Sequence, residues 1–147
     1  MRLLGYLSAL FAGVAIACQT GSNSVLKEKL GEPTTALVIN YVVSISCVLI
    51  YILGTRQPMP SLQQANEVPW WGWLGGLLGA ASGIVAIVLA KRLGAGTLAS
   101  YALAGQLIGS VVLDHFGWLG FELHGVSWPR VAGCCLMIAG VVLISEF

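Results

Sequence analysis

The side chains of this 147-residue chain that could do chemistry are few, and they lie within or beside long apolar runs. Gln106, Ser110 and Asp114 recur at i, i+4 and i+8 beside the small residues Ala99, Ala102 and Gly109. On a helix they share one face, which predicts contact with another helix or a solute rather than with lipid. An amide such as Gln106 has two donors and an acceptor to satisfy, and left unpaired in hydrocarbon it costs several kcal/mol. Gln19 and Asn23, also four apart, either extend the small-residue face Gly5, Ala9, Ala12 into a cavity or mark a helix end entering the interface. Asn40, Tyr41 and Ser44 read either as interhelical hydrogen-bonding groups or as ligand contacts. Asp114 is the acid at the end of the fourth apolar run. It is a candidate proton or ion site, and alternatively a cap or a partner for Arg130. The structural role is favoured, because an acid at an interface costs little.

Enzyme chemistry has no such grouping. His115 and His124 are the only histidines, and Asp114 and His115 are neighbours, which do not face each other on a helix. There is no catalytic residue to name, no metal-ligand spacing, no nucleophile elbow and no phosphate loop. Cys18, Cys47, Cys134 and Cys135 all fall in apolar runs and read as buried, inert thiols.

The elements that position these residues follow from composition. Hydrophobic residues make up 57% of the chain and charged residues 9%, with mean hydropathy +0.87. Soluble domains carry about a quarter charged residues, so this is a membrane protein. A net charge of +1 gives no reason to expect a nucleic-acid partner. Lys27-Glu28-Lys29, Arg56, Lys91-Arg92 and Arg130 divide the apolar runs into five membrane spans, about residues 3–24, 34–54, 69–90, 94–115 and 129–146. Together they form a single transmembrane domain over 1–147. Ala15-Ile16-Ala17-Cys18 also allows a lipoprotein signal peptide, a weaker reading because four more spans follow it.

Pro58 and Pro60 break the loop after span two, and Ser61-Leu62-Gln63-Gln64 predicts a capping box on a short interfacial helix. Span three carries Gly75, Gly79 and Gly83 at four-residue spacing, with Gly72 and Gly76 beside them, a pattern for close helix packing. Span five, with Gly133 and Gly140, has no polar group to explain and reads as a packing helix, within the protomer or between protomers. The final Glu146-Phe147 is either a native end or a cloning scar.

The loops barely instruct orientation. The side holding Met1, side A, has Arg2, Arg56 and Arg130; side B has Lys27, Lys29, Lys91 and Arg92. Cationic loop bias sets orientation, and here it nearly cancels. Trp70, Trp71, Trp73, Trp118 and Trp128 all fall on side A. Two copies in opposite orientations would belt both interfaces, so an inverted pair is expected.

Several stretches also carry a resemblance. They are Gly13 with Gln19 and Asn23; Val68-Pro69-Trp70-Trp71-Gly72-Trp73-Leu74-Gly75-Gly76; Arg92-Leu93-Gly94-Ala95; Gly105-Gln106-Leu107-Ile108; and Leu113-Asp114-His115-Phe116-Gly117. In this order the chain resembles the five-helix, YdcZ-like family of bacterial inner-membrane exporters, within the drug/metabolite transporter superfamily. Gly133 through Ile144 is similar to the last, dimer-forming helix of small multidrug resistance proteins. The resemblance implies half of a ten-helix inverted-repeat transporter, completed by an antiparallel homodimer or a paired paralogue. It also implies a multi-pass place in the bacterial inner membrane. Small multidrug resistance proteins use a first-helix carboxylate to bind protons and cations. Span one here has no acid, so proton-coupled export of cationic drugs does not carry over.

The expectation is an all-α integral membrane transporter of small molecules, a non-enzyme, exporting by alternating access as an inverted dimer. Gln19, Asn23, Asn40, Tyr41, Tyr101 and Gln106 are its candidate substrate-binding residues. No cofactor, metal or nucleic acid is called for; the partners are a small-molecule substrate, the bilayer, and a second copy or paralogue. A non-transporting helper subunit and a passive channel are the alternatives.

Overall fold

The computed structural model describes Arg2–Phe147. Met1 and the Arg2 side chain, counted above on side A, lie outside the described residues. The order is α1 (Arg2–Leu30), α2 (Pro33–Thr55), α3 (Leu62–Glu67), a 3-10 turn (Trp70–Trp73) running into α4 (Leu74–Leu93), α5 (Ala95–Phe116), a second 3-10 turn (Trp118–Gly120) and α6 (Trp128–Glu146). There is no strand among the described residues. Five segments are long and apolar enough to cross a membrane: Leu3–Leu30, Pro33–Thr55, Trp70–Leu93, Ala95–Phe116 and Trp128–Glu146.

The expected number of spanning helices, five, is present, and α1 runs on through Lys27-Glu28-Lys29. Those residues are good helix formers, and two cations in the last turn suit the negative end of the helix dipole. Gly31 stops the helix at φ +90°, its N–H donating to Lys27 O at 2.8 Å. Pro33 then opens α2, where a missing N–H is harmless. Gly31 and Glu32 alone therefore link two long helices. At the other end of α2 the left-handed Arg56 (φ 51°) turns the chain, with Gln57 N–H donating to Ile52 O at 3.1 Å. The expected capping box on α3 is formed: Gln64 N–H donates to Ser61 Oγ (3.2 Å) and Ser61 N–H to Gln64 Oε1 (2.9 Å).

Two compact units divide the chain at residues 88 and 89. In the first, α1 and α2 pack as an antiparallel hairpin. Its core is Ala36, Leu37 and Ile87, with Leu26, Tyr41 and Ile84 packed against them. In the second, α5 and α6 pack on each other, and Gly94 (φ +80°) precedes α5. Most large apolar side chains stay exposed, Leu10, Phe11, Ile50 and Leu136 among them. A protein in water buries such residues; in a bilayer the lipid tails cover them. The expectation of buried cysteines is corrected here. Cys18, Cys47 and Cys135 are exposed and Cys134 half-buried, all four free. An apolar run in a membrane helix has a lipid-facing side, so apolar context does not imply burial within the chain.

Candidate functional site

The first unit gathers polar groups along the α1–α2 seam. Gln19 Nε2 donates to Asn40 Oδ1 at 3.3 Å, joining the helices. One turn towards the Lys27 end of α1, Asn23 is 7% exposed, and beside it Ser24 is 5% exposed. On α2 the residues Ala36, Leu37, Asn40 and Tyr41 fall at i, i+1, i+4 and i+5, so the polar pair follows directly on the buried core pair. The seam is not fully satisfied. Asn40 Nδ2 is shielded from solvent and without a hydrogen-bond partner, and so is Ser24 Oγ, about 140° round α1 from Gln19.

Tyr41 reaches α4 through the missing side chains of two glycines. A Cβ on Gly79 would lie 3.7 Å from the Tyr41 hydroxyl, and one on Gly83 3.6 Å from it. At Gly83 the added atom would also sit 2.7 Å from Leu37 Cδ1, closer than carbon atoms approach. Around Gly75 and Gly76 nothing lies within 4 Å of such an atom, and the contact at Gly72 is the local one to Val68, at 2.8 Å. Gly133 and Gly140 of α6 are likewise unapproached.

In the second unit Tyr101 and Gln106 are exposed side chains of α5, and the Gln106 amide has no hydrogen bond to the described residues. Ser110 and Asp114 instead line an open pocket of about 280 Å³ with Leu107, Arg130, Gly133 and Cys134. The three-residue polar stripe of α5 thus divides. Positions four apart on a helix drift by about 40° per step, which is enough to separate Gln106 from Asp114. Arg130 Nη2 stands 3.2 Å from Asp114 Oδ2, with the two side chains 35% and 25% exposed. Arg130 Nη1 also donates to His124 O (3.3 Å), His124 N–H donates to Asp114 O (2.8 Å), and Val126 N–H donates to His115 Nδ1 (3.4 Å). The Asp114–Arg130 pair therefore belongs to a clasp that folds the loop between α5 and α6 back onto the end of α5. Among the described residues no group of three or more His, Cys, Asp or Glu could hold a metal ion.

The family model described as "Putative inner membrane exporter, YdcZ" matches residues 4–143. The chain belongs to the YdcZ family. It is 27% identical over 136 residues to the inner membrane protein YdcZ of Escherichia coli strain K12, covering 92% of this chain and 90% of that one. No solved structure matches. With five apolar helices long enough to span, this YdcZ-family chain is a multi-pass inner-membrane protein.

One buried polar residue of α1, Ser24, escapes the sequence reading. Ser24 lies in the polar tail Gln19–Ser24 and has no periodic mark to set it apart from Ser22. Only its burial distinguishes it.

Proposed function

We propose that this YdcZ-family chain exports small molecules by alternating access, as one half of an inverted pair. The observation that carries the reading is a partly unsatisfied polar seam inside a five-span member of a family described as exporters. Gln19, Asn23, Asn40 and Tyr41 of the first unit, and Tyr101 and Gln106 of the second, are the proposed solute contacts. Amides and phenols bind solutes by hydrogen bonds and stacking without a fixed charge. The pairing is supported by the near-cancelling loop charges, by tryptophans confined to one side, and by the open glycines of α6. A second copy in opposite orientation, or an oppositely oriented paralogue, would supply the other half.

The test is flux in reconstituted vesicles over a panel of labelled small solutes. Saturable flux that Gln106→Leu abolishes, with membrane insertion unchanged, is the expected result. Flux proportional to concentration at all levels makes the chain a channel. No flux, together with a stable complex with another protein, makes it a helper subunit. Unchanged flux in Gln106→Leu removes Gln106 from the site.

A further inference from the structure

We infer that the α5–α6 seam seats a zwitterionic phospholipid with a primary ammonium, its headgroup on the Asp114–Arg130 pair and one acyl chain in the groove beside it.

Two openings on this seam form one groove. The pocket at the Asp114 end meets a second, of about 430 Å³, at Gly133, which lines both. On α5 the lining steps from Leu103 through Leu107 and Ser110 to Asp114; on α6 it steps from Gly140 through Met137 and Gly133 to Arg130. Steps of three and four keep to one face of each helix, so the lining is continuous. From Arg130 to Ile144 it runs about 21 Å along α6, more than the roughly 15 Å of one leaflet's hydrocarbon. Its floor is bare at Gly133 and Gly140, where an added Cβ would meet nothing within 4 Å. Its hydroxyls are satisfied within their own helix: Ser100 donates to Gly96 O (2.8 Å) and Ser110 to Leu107 O (2.9 Å). The walls left to a guest, Leu103, Met137, Val141 and Ile144 among them, are apolar and suit an acyl chain.

The polar end selects the headgroup. Trp118 stands four residues beyond Asp114 and Trp128 two before Arg130, both exposed, and such indoles mark the level of lipid headgroups. Arg130 meets Asp114 Oδ2 and donates to His124 O, and its guanidinium has further N–H groups to give. Asp114 Oδ1 has no partner among the described residues. A phosphate suits the remaining N–H groups of Arg130, and an ammonium suits the remaining carboxylate oxygen. The pair carries no net charge, so a zwitterion matches it, whereas an anionic headgroup leaves the carboxylate opposed. A quaternary ammonium has no N–H to donate, which selects ethanolamine over choline. Gly133 and Gly140 are also the open glycines that support pairing. A lipid here lies within that contact, and a second copy seated directly in the groove is the competing occupant.

None of the proposed solute contacts lines this groove, so binding is read directly rather than through flux. The full chain in detergent is given equimolar dioleoyl phosphatidylethanolamine, phosphatidylglycerol and phosphatidylcholine, and the retained lipid is counted by native mass spectrometry. Phosphatidylethanolamine should be retained about 3- to 10-fold over each of the others, the value of one partly exposed charge-assisted hydrogen bond. Asp114→Asn removes the carboxylate and leaves the guanidinium, so the preference should reverse towards phosphatidylglycerol. Gly140→Leu points into open space, so it should fold, fill the groove and lower retention of all three lipids. Equal retention of the three lipids overturns the inference. So does a ratio that Asp114→Asn leaves unmoved, which makes the pair a loop clasp alone. Unchanged retention in Gly140→Leu, with loss of dimers, gives the groove to a second copy and overturns it as well.

Discussion

Gly83 is where the absence of one carbon decides packing. Leu37, buried in the core of the first unit, occupies the place a Cβ would take. Gly83→Val should therefore cost about 1–3 kcal/mol, the range for overpacking a filled site, and lower Tm in detergent. Gly76 has the same residue type in the same helix but open surroundings. Gly76→Ala should be neutral or stabilising by up to about 1 kcal/mol, since alanine orders a helix more readily. Equal Tm values for the two variants would show that Leu37 does not fill the Gly83 gap. Gln106 is the residue-scale counterpart for function: its free amide is spared from any packing duty within the described residues, so its replacement should register in flux and not in folding.

Helix ends, more than helix middles, carry the charged chemistry of this chain. Asp114 closes α5 and Arg130 opens α6, and their contact secures the loop between them. Both side chains are partly exposed, so the pair contributes no more than about 1 kcal/mol after solvent screening. Asp114→Asn keeps an acceptor in the same place. It should leave flux and its dependence on an imposed proton gradient unchanged, with only a small fall in Tm. Loss of the gradient dependence would instead make Asp114 a proton-carrying group. The first hairpin turns through backbone conformation, by Gly31 at positive φ and Pro33 at the start of α2.

For the whole molecule the open question of pairing is one of topology. With the outer faces of the helices apolar and the loop charges nearly balanced, insertion in both orientations is the expected outcome. Separate C-terminal fusions to a reporter active only in the cytoplasm and one active only outside should both give signal at comparable levels. A single active reporter would remove the inverted homodimer and leave an oppositely oriented paralogue as the partner to seek.

Composition and charge spacing alone determined the five spans, because an apolar run of bilayer length has few other places to go. The capping box at Ser61 and Gln64 was equally legible, since its two bonds join residues three apart. The polar residues of the seam could be named from sequence, but not their state. That Gln19 meets Asn40 depends on the register of two helices, fixed by the short Gly31-Glu32 link and by the Ala36, Leu37 and Ile87 core. That Gly79 and Gly83 are approached while Gly75 and Gly76 stay open, and that Ser24 is enclosed while Cys18 faces outward, was decided only in the tertiary structure. Periodicity says which residues share a face; only packing says which face is covered.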